Sequence, residues 1–202
     1  MNDPVPSYPF SRITVYCGSS DGLKSIYLAA AFKMGQILAR HGLCLIYGAG
    51  KTGLMGALAD GALQAGGEVI GIIPGDLNTP QLAHTGLTKL EVLPDIQQRK
   101  ARMSALGDAF IALPGGFGTL DELFETLTWA QIGLHHKPIG LLNINNYFDP
   151  LLALIDHAEV EGFIYPEHRN LICQASQPDD LLALLSRYSP PEGLDRWVNR
   201  DV

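Results

Sequence analysis

The residues LPGGFGTLDE, Leu113 to Glu122, put glycines at 115, 116 and 118, a threonine and two carboxylates at what reads as a strand-to-helix turn. Free backbone N–H groups at such a turn can close around an oxyanion, and the dipole of the following helix adds a modest attraction. Gly115, Gly116, Phe117, Gly118 and Thr119 are the candidate phosphate cradle, and Thr119 could cap the helix or give its hydroxyl to the same anion. A tight turn that needs glycine only for steric reasons would look the same.

A second stretch, LIYGAGKTGLMG (Leu45 to Gly56), satisfies G-x-G-x-x-G through Gly48, Gly50 and Gly53, with Asp76 about 20 residues further on. By spacing alone NAD is a live reading. Gly50-Lys51-Thr52 also matches the tail of a P-loop, but that motif's leading glycine would fall on Leu45, which excludes it.

Arg99 and Lys100 lie between Ile96 and Met103 in a helix capped by Asp95, so Arg99 flanks the buried stripe. A guanidinium there needs an anionic partner, and a structural Arg to Glu pair is a plainer account than a ligand phosphate. In the helix after the glycine loop, Leu120, Leu123, Phe124 and Leu127 share one stripe, and Glu122, Glu125 and Trp129 fall opposite. Glu122 is therefore expected off the core, where replacement by Gln costs about 0.5 kcal/mol or less. A tryptophan beside two carboxylates there suggests a subunit interface or the wall of a site, against a plain acidic face. Adjacent His135 and His136 point apart and have no further ligands at useful spacing, so no metal is expected. Neither Lys51 nor Lys100 sits in a pyridoxal phosphate context.

These residues need a scaffold. ITVYC near Ile13, LCLIY near Leu45, EVIGII near Val69, KLEVL near Val92, AFIAL near Ile111 and PIGLL near Gly140 read as strands. Between and after them, helices are expected over Ile26 to Arg40, Leu54 to Ala65, Ile96 to Leu106, Thr119 to Ile132, Pro150 to Glu161 and Asp179 to Tyr188. Such alternation predicts an α/β fold, a Rossmann-like open parallel sheet with helices on both faces in a single domain. Two glycine loops at the carboxyl ends of its strands favour a ligand crevice. The segment Pro74 to Thr88 lacks periodicity, as functional loops often do. Residues 1–11 read as an extension, 12–188 as the domain, and 189–202 as a tail that packs loosely or frays.

With 202 residues, 47% hydrophobic and 17% charged, the chain has the composition of an ordinary soluble domain. Its 21 acidic against 14 basic residues, net -7, disfavour a nucleic-acid polymer and favour a small ligand. Cys17, Cys44 and Cys173 lack paired spacing and read as reduced thiols. No apolar h-region opens the sequence and no run approaches a membrane span, so the expected location is cytoplasmic, with no membrane partner.

Taken together, Cys17-Gly18-Ser19-Ser20, Gly53-Leu54-Met55-Gly56, Arg99-Lys100, PGGFGTLDE and TWAQIGLHHKPIGLLN (Thr128 to Asn143) closely resemble the LONELY GUY (LOG) family, cytokinin riboside 5′-monophosphate phosphoribohydrolases once labelled lysine decarboxylases. The similarity runs from about Ile13 to about Tyr188 by motif spacing. It implies a cofactor-free hydrolase, a homodimer or higher oligomer, that releases a purine base and ribose 5-phosphate from a nucleoside 5′-monophosphate. It carries Arg99 and Glu122 over as the catalytic pair and Gly115 to Thr119 as the phosphate cradle. Leu120 and Asp121 become the entry to the nucleotide site, and Lys100 and Thr128 further contacts. The glycines from Gly48 to Gly53 then shape a mononucleotide crevice, and the NAD spacing is coincidental. Departures from the family pattern are Ile96-Gln97 where Met-His is frequent, Ala49 within a glycine triplet, and Gln81 where a glutamate is frequent. Gln81 stays a candidate contact for ribose or base. The alternative is a non-catalytic nucleotide or molybdenum-cofactor carrier of the same fold, which retention of Arg99 and Glu122 disfavours.

Overall fold

In a computed structural model, which describes residues 8–194, the chain runs β1 (Arg12–Tyr16), α1 (Ser25–Arg40), β2 (Cys44–Tyr47), α2 (Gly53–Gln64), β3 (Val69–Pro74), β4 (Lys89–Leu93), α3 (Ile96–Leu106) and β5 (Ala109–Ala112). It continues through α4 (Phe117–Gln131), β6 (Ile139–Leu142), α5 (Asp149–Val160), the short α6 (Pro166–Arg169), β7 (Ile172–Ala175) and α7 (Pro178–Ser186). The strands form one seven-stranded sheet in the order β4-β3-β2-β1-β5-β6-β7, and every pairing is parallel. All six strands and six helices read from the sequence are present. β7, α6 and the 3-10 turns Gly75–Leu77 and Ile144–Asn146 were not expected.

Why the central strands are so apolar follows from their position. Ile13, Val15, Leu45, Tyr47, Ala109 and Ile111 project to one face, under Met34 and Leu38 of α1, Leu54 and Leu58 of α2, and Leu181 and Leu185 of α7. Tyr16, Ile46, Ile72, Phe110 and Ala112 project to the other, under Met103 of α3, Leu123 and Ala130 of α4, and Leu152 of α5. Burial on both faces demands near-continuous apolar strands. At the edges β4 and β7 are only partly covered and carry mixed sequences, so β7 gave no apolar run to read. The tail begins differently from expectation, because Leu194 is buried in the second core; residues 195–202 lie outside those described. No helix among the described residues is long and apolar enough to cross a membrane.

The strand order fixes where a ligand can bind. The chain builds outward from β1 to β4, then crosses back to place β5 on the other side of β1. The helices that follow β1 and β5 therefore lie on opposite faces of the sheet, α1 on one and α4 on the other, and the carboxyl ends of these two strands open the crevice where doubly wound sheets hold ligands. The residues after β1 are Cys17 to Ser20, and those after β5 are Leu113 to Gly116. Both glycine-bearing motifs and the loop after β1 end at this place.

Candidate active site

Three loops are tied together at the crevice. Gly18 N–H donates to the Pro114 carbonyl (3.1 Å), while the Gly18 carbonyl accepts from Leu54 N–H (2.9 Å) and Met55 N–H (3.2 Å) at the start of α2. The Thr52 hydroxyl donates to the Ser19 carbonyl (2.7 Å). Between them lies a cleft of about 290 Å³ lined by Cys17, Gly18, Ser19, Ser20, Met55, Arg99, Gly116, Phe117, Gly118, Thr119 and Glu122.

Arg99 and Glu122 form its ion pair. Arg99 Nη1 donates to Glu122 Oε1 at 2.6 Å, and Arg99 Nε donates to the Ile72 carbonyl at 3.1 Å. Both residues are buried, at 7% and 5% exposure, so each charge depends on the other for compensation. Burial pushes the Glu122 carboxyl above the ordinary glutamate range, with Arg99 opposing that rise. Next to them Cys17 is fully enclosed, and desolvation raises its thiol far above the normal range, which leaves a neutral thiol rather than a nucleophilic thiolate.

The face of α4 differs from the one periodicity suggested. Thr119, Glu122, Leu123, Thr126 and Ala130 are buried, whereas Phe124 is exposed and Leu120 and Leu127 are only partly covered. The polar residues win the inner face because each finds a partner there. Thr126 Oγ1 donates to the Glu122 carbonyl (2.8 Å) and shares a 3.0 Å hydrogen bond with the Tyr16 hydroxyl, while Glu122 meets Arg99. Hydrophobicity alone cannot see such pairing, so the expectation of an off-core Glu122 is corrected. In α3, too, Ile96 is 40% exposed and the buried face begins with Arg99 itself. Asp95 caps that helix as expected, accepting from Gln98 N–H at 2.7 Å.

At the other end of the cleft, α4 starts after Gly116, its N-cap, with no side-chain cap. Thr119 is thus inside the first turn and does not cap. The first N–H groups of a helix have no intrahelical acceptor, and here Gly116 to Thr119 face the cleft. Gly115 is required sterically: a Cβ there would lie 2.1 Å from Thr119 Oγ1 and 2.8 Å from Gly18 N.

Gly48 explains the other glycine stretch. A Cβ on it would lie 2.0 Å from Arg99 Nη2, so the glycine makes room for the guanidinium. Ala49, where the family pattern has another glycine, takes a left-handed φ of 60° and packs its buried methyl with Ile73 and Ala83. The aperiodic segment after β3 straps this turn, through Lys51 N–H to the Leu82 carbonyl (3.0 Å), His84 N–H to the Ala49 carbonyl (2.9 Å) and Lys51 Nζ to the Pro80 carbonyl.

Of the residues singled out in the sequence, Arg99, Glu122, Gly116, Phe117, Gly118 and Thr119 come together in the cleft. Gly115 lines an adjoining recess with Tyr27 and Tyr147. Lys100 bridges Asp121 (2.9 Å) and Glu125 (3.1 Å), which zips α3 to α4 beside the buried pair. Thr128 is exposed, donates its hydroxyl to the Phe124 carbonyl, and lines a separate groove. Gln81 is exposed in the strapping segment, and neither it nor Leu120 is among the cleft-lining residues. Cys17, Ser19, Ser20 and Met55 line the cleft although only their motifs, not their roles, were read; their placement after β1 and at the start of α2 was the available signal. Among the described residues no group of three or more His, Cys, Asp or Glu gathers as a metal site.

The chain is similar to known proteins in sequence and in fold. Residues 55–185 match the family model described as "Possible lysine decarboxylase". A cytokinin riboside 5′-monophosphate phosphoribohydrolase of Rhodococcoides fascians is 52% identical over 165 residues, 80% of this chain and 83% of its own. A probable cytokinin riboside 5′-monophosphate phosphoribohydrolase of Oryza sativa subsp. japonica is 47% identical over 182 residues, 90% of this chain and 74% of its own. Among solved structures, the molybdenum cofactor binding protein of Rippkaea orientalis superposes with a TM-score of 0.67 at 25% identity, covering 88% of this chain and 96% of its own.

Proposed function

The chain belongs to the LONELY GUY family, the possible lysine decarboxylases of the matching family model, and from that premise we infer that it is a hydrolase that cleaves the N-glycosidic bond of purine nucleoside 5′-monophosphates. The observation that carries the chemistry is a buried carboxylate held by a buried guanidinium beside an uncapped helix N-terminus. We assign the substrate phosphate to the N–H groups of Gly116 to Thr119, where the helix dipole favours an anion. That places Glu122, further along the same helix, to face the sugar.

As the bond to the base breaks, positive charge grows on the ribose in an oxocarbenium-like transition state. Arg99 occupies Glu122 Oε1, so Oε2 serves as the oxygen that meets the charge or the attacking water. Water adds to the anomeric carbon and passes a proton to Glu122, while the base leaves with the bonding pair and takes up a proton from solvent; Glu122 then returns its proton to solvent and is ionised again. Arg99 fixes the carboxylate and offsets its charge in a site of low dielectric. The molybdenum cofactor proteins share the fold at far lower identity than the phosphoribohydrolases, and nothing in the cleft favours a carrier over a hydrolase.

Since phosphate binding orients the sugar, AMP is expected to be hydrolysed and adenosine left intact. Release of free adenine from each, followed by chromatography, tests this; equal turnover of the two would remove the phosphate cradle from the mechanism.

We also assign this protein a homodimeric state, with the outer face of α4 at the contact. Phe124 is exposed there, and with Leu127 and Thr128 it forms a groove together with Ile155, Ile164 and Leu171. An apolar surface of this kind fits a second copy. Trp129, by contrast, is half-buried on the flank beside Ala101 and Leu134. Light scattering at working concentration should give twice the chain mass, and a monomer would overturn the assignment. Free Cys17, Cys44 and Cys173 suit a reducing compartment, and we place the protein in the cytoplasm.

A further inference from the structure

We propose that Tyr147 is a positioning residue that locks the peptide between Gly115 and Gly116, and thereby aims the cradle's first N–H at the substrate phosphate. This rests on the assignment of the phosphate to the glycine loop. The Tyr147 hydroxyl donates to the Gly115 carbonyl at 2.6 Å. A peptide unit is planar, with its carbonyl and N–H pointing in opposite directions, so holding the Gly115 carbonyl toward Tyr147 turns the Gly116 N–H away from it. A peptide joining two glycines has little steric resistance to flipping. Gly116 has open space around its missing Cβ, and no side-chain cap restrains this helix start. The phenol supplies the restraint that the loop's own sequence omits.

The turn that presents Tyr147 is built for one geometry. Asn145 and Asn146 both take left-handed backbone angles, φ 52° and 57°, which are unfavourable for consecutive residues other than glycine. Buried Ile144 and Phe148 pin the two ends. The Asn143 side chain closes the turn, accepting from Phe148 N–H (2.8 Å) and donating to Asp149 (2.7 Å). The Tyr147 ring is braced edge-on by Phe148 (5.2 Å) and by Tyr27 of α1 (6.1 Å). Its orientation is thus imposed by β6 and α1, and it is applied to the loop after β5.

The test compares wild type with Tyr147→Phe, which removes only the hydroxyl, and with Tyr147→Ala. Ribose 5-phosphate and inorganic phosphate are titrated calorimetrically, and AMP turnover is measured alongside melting temperature. Tyr147→Phe should bind ribose 5-phosphate about five- to tenfold more weakly and raise KM for AMP by a similar factor, with kcat nearly unchanged, because at saturation the phosphate is still seated on the remaining cradle N–H groups and still orients the sugar. Tyr147→Ala should lose at least as much affinity. A role confined to stability would lower the melting temperature and leave KM and anion affinity alone; that result overturns the proposal, as does a wild type that binds neither anion. If no nucleoside monophosphate is hydrolysed yet the hydroxyl still sets anion affinity, the hydrolase reading fails and the positioning role stands.

Discussion

Glu122→Gln is expected to remain folded and to lose AMP hydrolysis by about 100-fold or more. The amide has nearly the same shape as the carboxylate, and its oxygen can still accept the 2.6 Å hydrogen bond from Arg99. It cannot take a proton from water or present a full negative charge to the ribosyl cation. Stability should fall too, by about 2 kcal/mol, because a guanidinium with 7% exposure loses its counter-charge while keeping its hydrogen bonds. Arg99→Ala is the harsher change: it strands the Glu122 carboxyl without its partner, at a cost of about 3–5 kcal/mol. The pH profile gives a second readout. Burial raises the Glu122 carboxyl above its ordinary value of 4.5, and the ionised form is the active one. Wild-type kcat/KM should therefore decline on an acid limb whose midpoint lies above that value, and the residual activity of Glu122→Gln should lack this limb. A folded Gln variant with near-normal turnover would remove Glu122 from catalysis and bring the carrier reading forward.

The stability part of that expectation differs from the one periodicity gives, and the reason shows what a sequence can convey. Strands β1, β2, β3, β5 and β6 were readable because burial on both faces leaves them almost wholly apolar. β7, ICQA at a sheet edge, has no such constraint and was missed. Glycine loops and helix spans were equally visible, since they depend on local backbone chemistry, and so was one of the two caps: Asp95 does cap α3, whereas Thr119 lies inside the first turn of α4. Glu122 was placed on the wrong face because the inner side of α4 is decided by partners 23 and 110 residues away, Arg99 for Glu122 and Tyr16 for Thr126. Lys100 and Asp121 illustrate the same limit. The family resemblance implied nucleotide contacts for both, and the hydrogen bond that joins them across α3 and α4 left no mark in the sequence. Long-range polar pairing leaves no period in the sequence, so residue types in the site were legible while the pairs they form were not.

Gly48→Ala should inactivate the enzyme without altering any group assigned to the chemistry. Gly48 does not have a left-handed φ, so alanine is tolerated by the backbone. The obstacle is the guanidinium: the new Cβ would stand 2.0 Å from Arg99 Nη2 and 3.1 Å from Met55 Cε. Arg99 is held on its other sides by the Ile72 carbonyl and Glu122, and movement away from Gly48 breaks one of those bonds. Overpacking at a buried site costs about 1–3 kcal/mol, and a displaced Arg99 leaves Glu122 mispositioned. A loss in kcat/KM of about 100-fold is expected, because the pair acts as a unit. The cycle with Arg99→Lys identifies the cause. Lysine lacks the Nη2 branch that the methyl would strike, so in that background Gly48→Ala should cost about threefold or less. Equal losses in both backgrounds would mean that the glycine serves the loop itself rather than the seat of Arg99. Strong coupling would instead show that the turn after β2, whose spacing imitates a dinucleotide fingerprint, exists to admit one arginine to the floor of the cleft.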